Sequence, residues 1–122
     1  MTITTFLMFE GKAGEAIDFY AGLFGGAIES IAHLPDGRVQ LARFRLKDKT
    51  YMAIDSPAKH DFTFTPAISL FVECADEAEF DKLFAALSRD GKVLMPPDNY
   101  GFSRKFGWCN DRFGVSWQIN LA

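Results

Sequence analysis

The side chains of this chain that could do chemistry are few and dispersed. His33 and His60 are the only histidines, the first near the Pro35-Asp36-Gly37 turn and the second in a proline-bearing connector. No periodicity brings them together, so each reads as a surface histidine rather than a base or a metal ligand. Cys74 and Cys109 are the only thiols. Cys109 stands one residue before the last turn with no histidine beside it, and so lacks the partner that activates a nucleophile. Cys74 falls in the core phase of a strand. Two cysteines make no disulfide framework; they read as reduced, partly buried thiols. The polar residues that share a face lie in the last strand. There Ser116, Gln118 and Asn120 alternate with Val115, Trp117 and Ile119. The apolar set should pack under a helix and the polar set should line a cleft.

Elements able to position these residues can be read along the chain. A strand covers Ile3 to Glu10 and ends at Gly11. Ala16, Ile17, Tyr20, Leu23 and Phe24 then fall on one face of a helix over Ala13–Phe24, closed by Gly25-Gly26. Strands follow over Ala27–Leu34, Arg38–Leu46 and Thr50–Asp55, separated by Pro35-Asp36-Gly37 and by Lys47-Asp48-Lys49. Ser56 to Pro66 is a connector. The order then begins again with a strand over Ala67–Cys74. Asp76 and Glu79 have the spacing of a capping box, and Phe80, Leu83, Phe84 and Leu87 form the second helical stripe. A short strand covers Lys92–Met95. Pro96-Pro97-Asp98-Asn99 opens a loop, and strands over Phe102–Cys109 and Gly114–Asn120 form the last hairpin.

Shifted by 63 residues, the first half falls on the second. Leu7 lies on Leu70, Glu10 on Glu73, Ile17 on Phe80, Tyr20 on Leu83, Phe24 on Leu87 and Asp48 on Asp111. Agreement at both ends of a long unit is the mark of duplication. The fold class is therefore α+β: one domain over 1–122, built from two β-α-β-β-β modules, the first about 1–56 and the second about 66–122. One helix covers one face of each curved, mixed sheet, and the uncovered faces need partners. Two such sheets face to face would leave a cleft for a ligand.

Composition narrows the class of function. The chain has 122 residues, 48% of them apolar, and 13 phenylalanines, enough for a core without staples. Its net charge is −3, with basic residues scattered among acidic ones. That provides no footprint for nucleic acid. No run approaches the length of a membrane span, and the first residues lack the pattern of a signal peptide. A soluble cytoplasmic protein without nucleic-acid or membrane partners is expected.

At this point the chain resembles a known family. Phe6-Leu7-Met8-Phe9-Glu10-Gly11-Lys12-Ala13, Glu15-Ala16-Ile17-Asp18-Phe19-Tyr20 and Leu23-Phe24-Gly25-Gly26 are similar to the opening of the vicinal oxygen chelate superfamily, which includes glyoxalase I, bleomycin-resistance proteins and extradiol dioxygenases. The ending Asn110-Asp111-Arg112-Phe113-Gly114-Val115-Ser116-Trp117-Gln118-Ile119-Asn120 resembles its PhnB-like branch. The resemblance implies a glyoxalase-like fold and a homodimer. Some relatives carry a demethylubiquinone methyltransferase label. A transferase of that kind should show a glycine-rich turn after the first strand of a doubly wound sheet, and Gly25-Gly26 ends a helix instead.

Metal-using members of the superfamily hold a divalent ion with His, Glu or Gln from the first and last strands of each module. The matching positions here are Thr5, Ala67, Asp55 and Gln118. Only Asp55 and Gln118 could each give an oxygen, too few for a hard cation or for zinc. No cofactor is therefore expected, a divalent metal being the alternative. The repeat makes Tyr51, Ala53 and Asp55 counterparts of the polar face of the last strand. In the fifth strand Ile68, Leu70, Val72 and Cys74 take the core phase, which leaves Ala67, Ser69, Phe71 and Glu73 for the cleft. The expected ligand pocket is thus Tyr51, Asp55, Ser69, Phe71, Ser116 and Gln118. An alternative is that this face packs sheet on sheet at a dimer seam. Tyr100, Phe102 and Arg104 belong to a loop that could close over a ligand or be plain surface. Trp108 and Trp117 read as core aromatics.

Three functions compete. The first is a metal-free binder of a small organic molecule. The second is a metal-dependent lyase, isomerase or dioxygenase seeded by Asp55 and Gln118, with Glu73 or His60. The third is a homodimer without a pocket.

Overall fold

Each helix forms where apolar residues recur at helical spacing, and each stops for a local reason. A computed structural model describes residues 1–122, which divide into two compact units, Met1–Asp61 and Phe62–Ala122. In the first, α1 (Ala13–Phe24) buries Ala13, Ala16, Ile17, Tyr20 and Phe24 and ends at Gly25 in the left-handed conformation. In the second, α2 (Glu77–Ser88) buries Phe80, Leu83, Phe84 and Leu87. Its N-cap is Asp76, whose side chain accepts from Glu79 N at 2.8 Å. The Glu79 carboxylate reaches back to Ala75 N at 3.0 Å. The capping pair is thus present, its return bond one residue earlier than in the reciprocal form.

The first unit carries β1 (Thr5–Phe9), β2 (Ala27–His33), β3 (Val39–Leu46) and β4 (Lys49–Asp55), in the spatial order β1-β4-β3-β2. The second carries β5 (Leu70–Glu73), β6 (Lys92–Asp98), β7 (Lys105–Asn110) and β8 (Ser116–Leu121), in the order β5-β8-β7-β6. The two orders are the same. In each, the first strand pairs in parallel with the last and the other pairings are antiparallel. Two β-α-β-β-β units in four-stranded mixed sheets are therefore present, as the repeat predicts. Gly26 and Gly91 enter β2 and β6 at corresponding points. A Cβ at either would stand 2.1 Å from a backbone carbonyl oxygen, that of Arg45 or of Asn110. Only glycine allows so close a backbone approach.

Several boundaries differ from the sequence reading. β5 begins at Leu70 rather than Ala67, and Ile68 is 79% exposed rather than in the core. Ile68 N donates to Thr65 O at 3.3 Å, so the residues before β5 turn instead of extending. β6 runs on through Pro96 and Pro97 to Asp98. It is the outer strand of its sheet, where a missing N–H costs no ladder bond, and its register is irregular between Met95 and Asp98. No helix is long and apolar enough to cross a membrane.

Candidate functional site

Strand register decides which side chains can meet a ligand. In the first unit Leu7 pairs with Ala53 and Phe9 with Asp55. Ala53 in turn pairs with Ala42, and Tyr51 with Phe44. Leu7, Phe9, Ala42, Phe44, Ala53 and Asp55 are all buried. This is the face that α1 covers, packing mainly on β3. Tyr51 and Asp55 therefore lie on the helix side, not on the open side assigned to them by the repeat. In the second unit Leu70 pairs with Trp117 and Val72 with Ile119 on the helix side. Phe71 pairs with Gln118, and Glu73 with Asn120, on the open side. With Leu7 laid on Leu70, their partners Ala53 and Trp117 fall one residue out of step with the 63-residue shift. A slip of one residue exchanges the faces of a strand. Asp55 answers to Ile119, and Ile54 is the counterpart of Gln118.

The Asp55 side chain shows what it does instead. Its Oδ1 accepts from Gly11 N at 2.8 Å and Ala13 N at 2.9 Å, and its Oδ2 from Val39 N at 2.8 Å. The first turn of a helix has backbone donors without internal partners. Lys12, at the N-cap of α1, supplies no side-chain acceptor. Asp55 does so from another element, and it is only 3% exposed. It is a tie between α1, β3 and β4. Tyr51 stacks on Phe44 with ring centroids 5.5 Å apart, and burial raises its phenol above the usual value, the charge of Asp48 adding to the shift. The open face of this sheet carries Phe6, Met8, Met52 and Ile54 in place of the polar residues expected.

The remaining four predicted residues come together on the open face of the second sheet. Gln118 Nε2 donates to Ser69 Oγ at 2.7 Å, and Phe71 stands beside them in register with Gln118. Ser116 is 1% exposed, and its hydroxyl accepts from Trp108 Nε1 at 2.7 Å. Trp108 is thus not a core residue: it pairs with Gln118 on the open face, half-buried. Trp117 is in the core, its Nε1 donating to Asp111 Oδ2 at 2.9 Å. Next along the face Phe106 pairs with Asn120, and Asn120 with Glu73. Asn120 Nδ2 donates to Glu73 Oε1 at 2.9 Å, whereas its Oδ1 is buried with no hydrogen-bond partner. The loop before β7 folds over Phe106. The Phe102 ring lies 5.0 Å from that of Phe106, Tyr100 6.0 Å and Phe71 6.5 Å. Phe71 is 54% exposed and Phe102 62%.

Strand alternation also puts Glu73 and Asn120 on this face, outside the six residues of the expected pocket. Phe106 and Trp108 carry no such signal, because large aromatics alternating with Gly107 and Cys109 read as the core face of a strand. The two thiols are both buried. Burial, with the charge of Asp111 adding to it, pushes Cys109 up to about 12. Burial with Glu79, Glu73 and Asp76 pushes Cys74 up to about 11. Neither is a thiolate nucleophile near neutral pH.

Two other arrangements fall short of a site. In the first unit Ser56 Oγ lies 2.7 Å from His60 Nε2, beside a depression of about 360 Å³ lined by Glu10, Arg38 and Lys59. Its hydroxyl also lies 2.7 Å from Ala58 O and accepts from Ala58 N at 3.2 Å, and Ser56 is 5% exposed. It fastens the connector rather than presenting a nucleophile. The positions at which the superfamily holds a metal do not fit an ion. Asp55 and Gln118 are on opposite faces of their sheets. The Asp55 oxygens are taken by backbone N–H groups, and the Gln118 amide is turned on Ser69. No three His, Cys, Asp or Glu side chains group as metal ligands.

Residues 1–120 match the family described as 3-demethylubiquinone-9 3-methyltransferase. The chain is 51% identical to the PhnB protein from Bacillus cereus, with complete coverage of both chains and a TM-score of 0.97. It is 28% identical to protein PA1353 from Pseudomonas aeruginosa, over 99% of this chain and 97% of that one, at a TM-score of 0.87. At 6% identity it shares its fold with the fosfomycin resistance protein FosX from Listeria monocytogenes, solved with Mn(II) and sulfate, over 100% of this chain and 92% of that one, at a TM-score of 0.65.

Proposed function

The chain belongs to the PhnB-like 3-demethylubiquinone-9 3-methyltransferase family, within the vicinal oxygen chelate superfamily, and from that premise we propose that it binds a small organic molecule on the open face of its second sheet without a metal. One observation carries this reading: an aromatic cluster, Phe71, Tyr100, Phe102 and Phe106, adjoins a hydrogen-bonding row, Ser69, Gln118 and Asn120, in which one buried acceptor has no partner. Apolar surface set beside a few oriented polar groups is the usual make-up of a ligand site. Buried polar atoms are satisfied in nearly all proteins, so an exception asks for a partner.

Methyl transfer finds less support in the fold. The sheets are mixed and four-stranded, not doubly wound. Gly25 and Gly26 close α1 instead of opening a phosphate-binding turn after a strand. Metal-dependent lyase, isomerase or dioxygenase chemistry lacks a donor set in the positions where the superfamily would place one. The binding reading is tested by thermal shifts over a library of aromatic compounds, organic acids and organic amines. At least one compound class should raise the melting temperature, and Phe71→Ala should abolish the effect. A library that yields no shift with any compound counts against it.

A further inference from the structure

We infer that the ligand taken at this face is an organic cation: a protonated amine or amidine carried on an aromatic or other planar apolar body. The inference rests on the binding reading above and specifies its chemistry. Asn120 is 5% exposed, and its Oδ1 can only accept. The amide orientation follows from its other atom, since Nδ2 donates to Glu73 Oε1 at 2.9 Å. The missing group is therefore a donor, and it must sit beside a carboxylate. Glu73 is exposed and hydrated, so a neutral hydroxyl would satisfy Oδ1 but gain nothing from the carboxylate beside it. A ligand carboxylate would be repelled by both. An ammonium satisfies both, because it has three donors and one positive charge.

The surroundings fit the rest of such a ligand. Phe106 pairs directly with Asn120 and is covered by Phe71, Tyr100 and Phe102. The exposed rings of Phe71 and Phe102 offer faces for stacking and for cation–π attraction. The basic residues near β7 do not occupy this place. Arg104 Nε donates to Ala122 O at 2.7 Å. Lys105 reaches to the helix side, to Asp81 at 2.6 Å and Glu77 at 3.2 Å.

Three probes with the same phenylethyl body separate the outcomes: 2-phenylethylammonium, 2-phenylethanol and 3-phenylpropanoate. Each is titrated into the full chain while the Asn120 side-chain amide is followed by ¹H–¹⁵N spectroscopy. The ammonium should shift that signal and bind about fivefold tighter than the alcohol, and tighter still than the acid. Glu73→Gln keeps an acceptor for Asn120 and removes the charge. It should bring the ammonium and alcohol affinities together in a chain that stays folded by far-UV circular dichroism. If the alcohol or the acid binds as well as the ammonium, or if Glu73→Gln leaves the ammonium preference intact, the cation inference is overturned and the binding reading stands. If none of the three perturbs the face, the cation inference is overturned, and the binding reading falls with it only if the compound library also produces no shift.

Discussion

Removing the Asp55 carboxylate tests the largest departure of the structure from the sequence pattern. In Asp55→Ala three backbone donors, Gly11 N, Ala13 N and Val39 N, lose an acceptor that now holds them at 2.8, 2.9 and 2.8 Å. A hydrogen bond to a charged group contributes about 1.5–3 kcal/mol, and contributions of neighbours sharing one acceptor do not add fully. A loss of roughly 4 kcal/mol follows, close to the upper end for single substitutions. It is a large part of the roughly 5–15 kcal/mol that holds a domain folded. For a chain of this size it corresponds to a fall of about 12–20 °C in Tm. Asp55→Asn should cost less, about 2 kcal/mol, since Oδ1 can still serve Gly11 and Ala13 while the amide nitrogen opposes Val39 N–H. Urea unfolding followed by far-UV circular dichroism measures both variants, and hydrogen exchange at the three amides localises the effect. Ligand binding on the second sheet should survive in any variant that still folds. The reasoning is refuted if Asp55→Ala loses less than about 1 kcal/mol, or if the three amides keep their protection. A folded Asp55→Ala protein that had lost ligand binding would restore the pocket-lining role.

Four further outcomes are expected. Unfolded thiols deprotonate near pH ~8.5, whereas those of Cys74 and Cys109 hold their protons to about 11 and about 12. The unfolded chain therefore binds fewer protons in that window, and stability should fall as pH rises from ~9. The urea midpoint should be lower at pH 10 than at pH 8, with a smaller difference in a Cys74→Ala, Cys109→Ala double variant; an unaltered difference contradicts the assignment. A Cβ at Gly107 would stand 2.6 Å from the Phe84 ring, so Gly107→Ala should cost about 1–3 kcal/mol by thermal unfolding. Gly22, in α1 with nothing within 4 Å, should gain about 0.5–1 kcal/mol on substitution by Ala, and the opposite order would contradict the packing described. Asp76→Ala should lose about 1 kcal/mol through its bond to Glu79 N, and a neutral result would remove the cap from the account of α2.

Local patterns determined much of this protein without the fold. α1 runs from Ala13 to Phe24 as its apolar spacing predicts, and Gly25 ends it. Asp76 caps α2 because a short acidic side chain three residues before an N–H can reach it without help from elsewhere. The alternation in β8 separated Trp117 and Ile119 from Ser116 and Gln118, because the period of a strand is a property of the strand. Which way a strand faces is a property of its neighbours. The tertiary structure alone decided that Asp55 looks into the helix side, since its partner Phe9 lies 46 residues away and one step of register reverses every side chain. The same applies to Asn120, whose empty oxygen and carboxylate neighbour exist only because β8 lies between β5 and β7. A sequence repeat records that two units share a plan. The face a side chain presents is set by hydrogen-bonded pairing across the sheet, and distances along the chain do not encode it.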